Sequence, residues 1–464
     1  MIKKNDILDI TIDSLGSEGE GIGRIEGYAL FVKDALIGDK VRVKIMKMKK
    51  SYGFARLMEV LEPSPYRVEP VCPVARQCGG CQLQHLDYEK QVEYKQDKVK
   101  NCLERIGKFN IVMEESKAND ENTIFMEPAI GMESSFYYRN KAQFPMGLDK
   151  DGNVVTGFYA ARSHSIIPTT NCYIQAEVNK ELLTIVKDFL QEFGISTYDE
   201  ENHKGLVRHI LTRVGYTTKE IMVCLIINGA KLPHAEELVE RLTKIEGMTS
   251  ICLNVNKEKT NVILGNQVIP LWGQDYITDY IGDIKFQISP LSFYQVNPVQ
   301  TKELYSQALE YADLTGNEIV WDMYCGIGTI SLFLAKKAKK VYGVEIVSQA
   351  IEDAKKNAQI NEITNAEFFV GAAEEVVPEK YKKDHIKADV VVVDPPRKGC
   401  AESLLETIVA MEPKRVVYVS CDPATLARDL RYLADHGFNV VKARAVDMFP
   451  NSAHVESVAL LERK

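Results

Sequence analysis

Two reactive side chains near the C-terminus are placed so that they could perform covalent chemistry. Cys421 follows an apolar run, and Glu456 begins the last apolar run of the chain. A cysteine thiolate is a strong nucleophile, and a carboxylate can accept a proton in general base catalysis. Either residue alone would be better explained as a packed thiol or a surface acid. Their joint position at one sheet edge favours a nucleophile and base pair.

Alternating strands and helices predict the sheet that would position these two residues. From Glu318 onward, apolar β-branched runs such as Val390-Val-Val-Val alternate with helical stretches. This pattern is typical of a parallel sheet covered on both faces, in which ligands bind at the carboxyl ends of the strands. The connection to the last strand is too short for a crossover helix, so that strand should run antiparallel. A helix starting at Pro423 should favour the Cys421 thiolate through its positive N-terminus.

The opposite end of the same sheet edge has the features of a nucleotide-binding site. Gly326 and Gly328 follow the first strand, where they would allow close approach of a ligand to a helix N-terminus. A dinucleotide fingerprint would have a third glycine where Ser331 stands, which disfavours a nicotinamide or flavin enzyme. Glu345 ends the second strand and could accept the ribose hydroxyls of adenosine, or simply favour the next helix as an acidic first-turn residue. The combination resembles the S-adenosylmethionine methyltransferase fold.

Six ordered motifs are similar to those of the RNA uracil-5-methyltransferase family, and they extend over nearly the whole chain. They are Tyr138-Arg-Asn-Lys-Ala-Gln-Phe, Phe293-Tyr-Gln-Val-Asn, Asp322-Met-Tyr-Cys-Gly-Ile-Gly-Thr, Asp394-Pro-Pro-Arg-Lys-Gly, Tyr418-Val-Ser-Cys-Asp-Pro-Ala-Thr-Leu, and Phe449-Pro followed by His454-Val-Glu-Ser-Val. The resemblance implies a C-terminal Rossmann-like domain with a seven-stranded, mostly parallel sheet. It also implies that the protein is an enzyme that methylates carbon 5 of uridine with S-adenosylmethionine.

The resemblance also assigns roles to individual residues. Carbon 5 of uracil is a poor nucleophile until a thiolate adds to carbon 6, and a base must later remove the proton from carbon 5. Cys421 matches the nucleophile and Glu456 the base, while Phe293 could stack on a flipped-out base. Asp422 stands where the family commonly has Asn, which leaves the nucleophile unchanged. The positions that match cofactor-binding residues are Gln295, Tyr324, Gly326, Glu345 and Asp394.

The first 62 residues predict a small barrel that binds RNA. Five short apolar runs separated by glycine turns suit a closed OB-like barrel. A basic stretch with Tyr52 and Phe54 nearby could bind an oligonucleotide, or it could be a solvated edge protected by lysines. The basic residues are Lys44, Lys47, Lys49, Lys50 and Arg56, and Arg42 lies in the same crowded stretch.

The remaining chain divides into two further predicted domains. Residues 63–285 mix strands and helices, which indicates a central α+β domain that binds RNA and contains a cysteine cluster. An acidic stretch between Lys108 and Ser135 has the character of an irregular insertion. Residues 286–464 form the catalytic domain.

Four cysteines form the candidate metal centre of the central domain. Cys72, Cys78 and Cys81 have the spacing C-x5-C-x2-C, and Cys172 is a distant fourth thiol. A zinc site would usually have two C-x2-C pairs, and one is missing. The family members that act on 23S ribosomal RNA pair a TRAM barrel with a [4Fe-4S] cluster of similar spacing. The resemblance therefore implies a structural [4Fe-4S] cluster on these four residues.

Composition limits where the protein works and what it binds. The net charge of -8 excludes indiscriminate coating of nucleic acid, so an RNA-binding surface must be local. No apolar run is long enough to span a membrane, and ten cysteines without a secretion signal favour a cytoplasmic protein with reduced thiols.

The expected partner is structured RNA, bound by a monomer. The resemblance favours 23S ribosomal RNA, and transfer RNA is the second possibility. An N-methyltransferase would share the Asp-Pro-Pro motif, but it would not need Cys421 and Glu456 together. A ribosome-assembly factor without catalytic activity would share the barrel and the cysteine cluster.

Overall fold

A computed structural model describes residues 2–160 and 163–464 of the protein. The N-terminal region of this structure is a closed barrel. Alternating residues such as Val41, Val43 and Ile45 point into its core and are fully buried. The predicted five-stranded barrel is thus confirmed. Its strands, in chain order, are β1 (Ile7–Leu15), β2 (Gly21–Ile25), β3 (Tyr28–Val32), β4 (Lys40–Met48) and β5 (Tyr52–Glu62).

A long polar helix and two short strands follow the barrel. Helix α1 (Tyr88–Arg105) begins at Asp87, whose side chain accepts a hydrogen bond from the Glu89 amide. After it come strands β6 (Asn110–Val112) and β7 (Thr123–Ile130). In the two ranges that the structure describes, no helix is long and apolar enough to cross a membrane.

A seven-stranded, mainly antiparallel sheet forms the central region. Its strand order is β10-β9-β8-β11-β12-β13-β14, with β12 and β13 parallel to each other. Two helices cover one face, where Leu182, Phe189 and Leu238 pack against Ile210. This is the α+β arrangement that the mixed pattern predicts. The elements are β8 (Lys141–Leu148), β9 (Val154–Tyr159), β10 (Ile166–Pro168), α2 (Asn179–Glu192), β11 (Val207–Val214), β12 (Ile221–Ile227), α3 (Ala235–Leu242), β13 (Met248–Val255) and β14 (Gln267–Gly273).

The C-terminal region is a Rossmann-like sheet covered on both faces by helices. A hairpin and helix α4 lead into it, and the valines of its central strands, such as Val392 and Val417, are fully buried. The last strand runs antiparallel to both of its neighbours, as predicted. The elements are β15 (Ile277–Ile281), β16 (Ile284–Ile288), α4 (Pro298–Ala312), β17 (Ile319–Met323), α5 (Thr329–Ala335), β18 (Lys340–Glu345), α6 (Ser348–Ile360), β19 (Ala366–Val370), α7 (Ala373–Lys383), β20 (Val390–Val393), α8 (Glu402–Met411), β21 (Arg415–Ser420), α9 (Pro423–Asp435), β22 (Phe438–Val446) and β23 (Glu456–Arg463).

This sheet has nine strands instead of the seven expected, in the order β19-β18-β17-β20-β21-β23-β22-β7-β6. Strand β22 would otherwise be an open edge, and β7 pairs with it in parallel. Ile124 and Met126 of β7 are fully buried as a result. The stretch between Lys108 and Ser135 is therefore not an irregular insertion, because its apolar residues complete the catalytic sheet.

Helix α1 also fixes the segment that connects β22 to β23. Its Lys95 side chain forms an ion pair with Asp447, and both groups are almost completely buried. Lys98 donates one hydrogen bond to the Ala453 carbonyl at 2.8 Å and another to the Ser17 carbonyl of the barrel at 2.7 Å. Helix α1 thus holds the segment that precedes Glu456 and joins it to the barrel.

Candidate functional site

One large cleft collects all eight predicted cofactor, substrate and catalytic residues. It has a volume of about 1110 Å³ and lies at the carboxyl ends of the parallel strands. The convergence brings together residues that are distant in the sequence. The eight lining residues are Phe293, Gln295, Tyr324, Gly326, Glu345, Asp394, Cys421 and Glu456.

The turn after β17 forms the floor of the part of the cleft where the sequence predicts a nucleotide-binding site. Tyr324, Gly326 and Gly328 all adopt positive φ angles, of 71°, 54° and 81°. Such a conformation is costly for a tyrosine and is typical of functional turns. A Cβ atom added at Gly326 would meet no atom within 4 Å, so the space above the turn is free for a ligand. The turn therefore leaves room for a ligand that lies across the N-terminus of helix α5.

Glu345 and the two residues after it form the adjoining wall. The Glu345 carboxylate accepts hydrogen bonds from the Gly326 amide at 3.3 Å and the Val347 amide at 3.0 Å. Ile346 and Val347 are 68% and 53% exposed although they are apolar, and both line the cleft. Sequence reasoning missed this apolar pair, whose signal is two aliphatic residues directly after the candidate ribose acid. An apolar wall beside a carboxylate suits a nucleoside.

Cys421 directly follows β21 and lines the cleft together with Glu456. Its surroundings differ from the thiolate-favouring environment that the sequence predicted. Asp422 caps helix α9 by accepting hydrogen bonds from the Ala424 and Thr425 amides, both at 3.0 Å. The amides of the first helical turn therefore serve Asp422. Burial raises the pKa of the Cys421 thiol to about 11, and Glu456 and Asp394 contribute to the increase. The net pKa of the thiol is therefore raised in the free protein, whereas the sequence predicted a thiolate favoured by the helix N-terminus.

Glu456 is the most deeply buried acid of the cleft, with 5% of its surface exposed. Burial raises its pKa well above the usual value, the Asp394 carboxylate adds to the increase, and Arg397 opposes it. Burial also raises the pKa of Asp394 to about 6. A carboxylate with a raised pKa is a stronger base, and it keeps an abstracted proton more firmly.

The loop from Ser289 to Val296 presents an aromatic ring to the cleft. Phe293 is 69% exposed, while the neighbouring backbone is held from both sides. The buried Arg213 guanidinium donates to the Ser292 carbonyl, and the Asn140 side chain donates to the Gln295 carbonyl at 3.0 Å. An exposed ring on a fixed loop is suited to stacking on a planar ligand.

Arg139, Arg397 and His454 also line the cleft, and each belongs to a motif that the sequence singled out. No role was assigned to Arg397 or His454 from the sequence. The Arg139 guanidinium lies 5.7 Å from the Phe449 ring centroid. Two guanidinium groups at a cleft mouth favour the approach of an anionic ligand such as RNA.

The four predicted cluster cysteines are brought together away from this cleft. All four are free thiols. Burial raises the pKa of Cys81 to about 12, and neighbouring Cys172, Cys78 and Cys72 contribute to the increase. Across the described residues, no group of three or more His, Cys, Asp or Glu side chains could hold a metal ion as the side chains stand. The four thiols are near enough to influence the pKa of Cys81, but they do not form a metal-binding group in this arrangement.

The fold and the cleft together define a class of protein. The features are those of an S-adenosylmethionine-dependent methyltransferase. They are a Rossmann-like sheet, a glycine turn after its first strand, a carboxylate at the end of the second strand and an apolar wall beside that carboxylate. The family model described as tRNA (Uracil-5-)-methyltransferase matches residues 266–464, and the TRAM domain model matches residues 3–58. The chain belongs to the RNA uracil-5-methyltransferase family, so it is an RNA methyltransferase that uses S-adenosylmethionine.

Relatives match the chain over its full length. An uncharacterized RNA methyltransferase of Halalkalibacterium halodurans is 53% identical over 100% of this chain and 98% of its own. One from Clostridium tetani is 50% identical over 99% and 97%. The crystal structure of Pyrococcus abyssi tRNA (uracil-54, C5)-methyltransferase in complex with S-adenosyl-L-homocysteine has a TM-score of 0.77 and 28% identity, and covers 98% of this chain and 100% of that one.

The raised pKa of Cys421 predicts how fast the thiol reacts in the free enzyme. Alkylation by iodoacetamide should be slow at neutral pH and accelerate as the pH rises toward about 11, because only the thiolate reacts. The Glu456→Gln variant removes a neighbouring negative charge, so its alkylation profile should shift to lower pH. Mass spectrometry of the Cys421 peptide over a pH series measures both profiles. Identical profiles for the two proteins would show that Glu456 does not influence the thiol.

Proposed function

We propose that the enzyme methylates carbon 5 of a uridine in 23S ribosomal RNA through a covalent bond between Cys421 and the uracil ring. The observation that carries the proposal is the joint position of a thiol and a buried carboxylate in one cleft with a nucleoside wall. Methylation of an amino group would need neither of these two groups. A non-catalytic RNA-binding factor would have no use for the cleft.

Each residue of the cleft has a role in the proposed reaction. The Cys421 thiol first loses its proton to solvent, and the thiolate adds to carbon 6 of a uracil that has left the helix and stacks on Phe293, which makes carbon 5 nucleophilic. When bound, S-adenosylmethionine would supply the electrophilic methyl group to carbon 5 and would leave as S-adenosylhomocysteine. Glu456 then removes the proton from carbon 5, and the sulfur–carbon bond breaks to release the thiolate. The high pKa of Glu456 favours its final protonated state.

The residues that hold the methyl donor are proposed from the same geometry. Glu345 is placed to accept the ribose hydroxyls, and Ile346 and Val347 provide an apolar wall for adenine. Tyr324 and Gly326 form the turn below the donor. Gln295 and Asp394 line the cleft on the side toward Cys421, where they could orient the methionine part.

We further propose that Cys72, Cys78, Cys81 and Cys172 hold a structural [4Fe-4S] cluster. Four thiolates are the usual ligand set of such a cluster, and the four free thiols lie close enough to influence one another electrostatically. Because the proposed methyl transfer contains no redox step, the cluster would organise the loops that carry the cysteines.

Transfer RNA is the second candidate substrate. The supporting observation is the full-length similarity to a tRNA (uracil-54, C5)-methyltransferase structure. The four cysteines and the TRAM barrel favour ribosomal RNA instead, through their resemblance to members that act on 23S ribosomal RNA. With either RNA, the proposed enzyme is a cytoplasmic monomer in which residues 1–62 and 63–285 bind RNA and residues 286–464 perform the chemistry.

The Glu456→Gln variant tests the assigned base. It should form the covalent adduct with RNA and accumulate it, because elimination from carbon 6 lacks its proton acceptor. Denaturing gels should show a slower protein–RNA species that requires S-adenosylmethionine. Cys421→Ala is the matched control, which should bind the donor with unchanged affinity and form no adduct. Absence of the slower species with Glu456→Gln, or its presence with Cys421→Ala, would contradict the assignment.

The Cys81→Ser variant tests the cluster. Anaerobically purified protein should contain four irons per chain and a brown absorbance, and the substitution should remove both, because it breaks the four-thiolate ligand set. Cys102→Ser is a control at a cysteine outside the four, and it should retain the iron. Zinc in place of iron in the unmodified protein would refute the cluster.

A further inference from the structure

The basic stretch of the barrel divides into two parts with different surroundings. Lys40 forms an ion pair with Glu62 at 2.8 Å, and Arg42 forms ion pairs with Asp9 at 2.9 Å and Glu59 at 3.1 Å. These two cations are already neutralised by neighbouring strands. They correspond to the solvated-edge interpretation of the sequence.

The other part of the stretch carries cations that remain available to a ligand. Within residues 2–160 and 163–464, none of these side chains forms an ion pair with a carboxylate. The available cations are Lys44, Lys47, Lys49, Lys50 and Arg56. The local surface is therefore strongly positive although the chain as a whole is acidic.

Three aromatic rings lie between these cations. The ring centroid of Phe31 is 5.6 Å from that of Tyr52 and 5.8 Å from that of Phe54, and the last two are 5.7 Å apart. Tyr52 and Phe54 are 37% and 38% exposed. The three rings cluster on the outer face of the barrel, because the alternate residues of β5, such as Gly53 and Ala55, point into its core.

Strand register places cations on β4 beside the rings and on β5 beyond them. Phe54 pairs with Phe31 on one side and with Lys47 on the other, while Arg56 pairs with Lys44. The turn that carries Lys49 and Lys50 is fixed, because the Tyr28 hydroxyl donates to the Lys49 carbonyl at 2.9 Å. The surface is thus an ordered platform.

We propose that this platform, formed by Phe31, Tyr52, Phe54 and the five available cations, binds a single-stranded stretch of the RNA substrate by base stacking. Successive bases can stack on aromatic rings, and the flanking cations can contact the phosphates between them. Paired bases would hide the faces that the rings need, so an unpaired segment fits and a duplex does not. This inference rests on the proposed function for the identity of the RNA, and it adds a contact outside the catalytic cleft.

Exchange of the rings for aliphatic side chains tests the stacking. The probe is an unstructured oligouridine of about twelve nucleotides, within the range of site sizes known for such barrels. The full-length variant with Tyr52→Leu and Phe54→Leu should bind it roughly tenfold or more weakly, because leucine keeps the bulk but lacks a π face. Tyr52→Trp should retain binding, and the oligouridine should quench the added tryptophan fluorescence. Unchanged affinity of the double leucine variant would overturn the proposal.

Charge substitutions test the phosphate contacts with a matched control on the same strand. Lys47→Gln should lower the slope of log affinity against log salt concentration by about 0.7, the value for one phosphate contact to a single strand. Arg42→Gln should leave the slope unchanged, because Arg42 is neutralised by Asp9 and Glu59. Equal slopes for Lys47→Gln and the unmodified protein, or an equal loss in both variants, would contradict the platform.

A duplex control and a catalytic control separate this inference from the proposed function. A duplex of the same length should bind with equal affinity to the unmodified protein and the double leucine variant. A stronger effect on the duplex than on the oligouridine would overturn the stacking proposal. If the unmodified protein binds oligouridine through the rings but does not methylate uridine, only the proposed function is refuted.

Discussion

The structure depends on the burial of Glu456 beside Asp394 and Cys421 in a single cleft. Three groups that can each carry a negative charge are costly to place together where solvent is restricted, and the raised pKa values of all three express that cost. The raised pKa values that result from this cost are useful for the proposed chemistry. In the proposed reaction, a base with a raised pKa holds the proton that it removes, and a thiol with a raised pKa is mostly protonated in the free enzyme.

The architecture around the cleft restrains the chain segments that carry these groups. Cys421 and Glu456 lie at one end of adjacent strands, because β21 and β23 are antiparallel neighbours. The segment before Glu456 is fixed by the buried Lys95–Asp447 ion pair, whose disruption would leave an uncompensated charge in the core. Helix α1 therefore connects the barrel, the edge of the nine-stranded sheet and the catalytic segment.

The sequence predicted those features that depend on local pattern. Alternating apolar runs indicated the barrel and the Rossmann-like sheet, and motif order placed eight residues in one cleft. Prediction from the sequence failed for features that depend on contacts between distant segments of the chain. The acidic character of the stretch around β7 concealed the buried Ile124 and Met126, and the burial of Cys421, which raises the pKa of its thiol, could not be predicted from the local pattern. The pairing of Arg42 with Asp9 could not be read from the sequence, because strand register decides it.

The most direct test of the central claim follows the hydrogen at carbon 5 of uridine. RNA prepared with tritium at that position should lose one tritium to water for each methyl group transferred from S-adenosylmethionine, because Glu456 must remove it after Cys421 has activated the ring. Chromatography of the digested RNA should show 5-methyluridine as the methylated product. Methyl incorporation with retention of the tritium would contradict the account, since the methyl group would then reside on another atom.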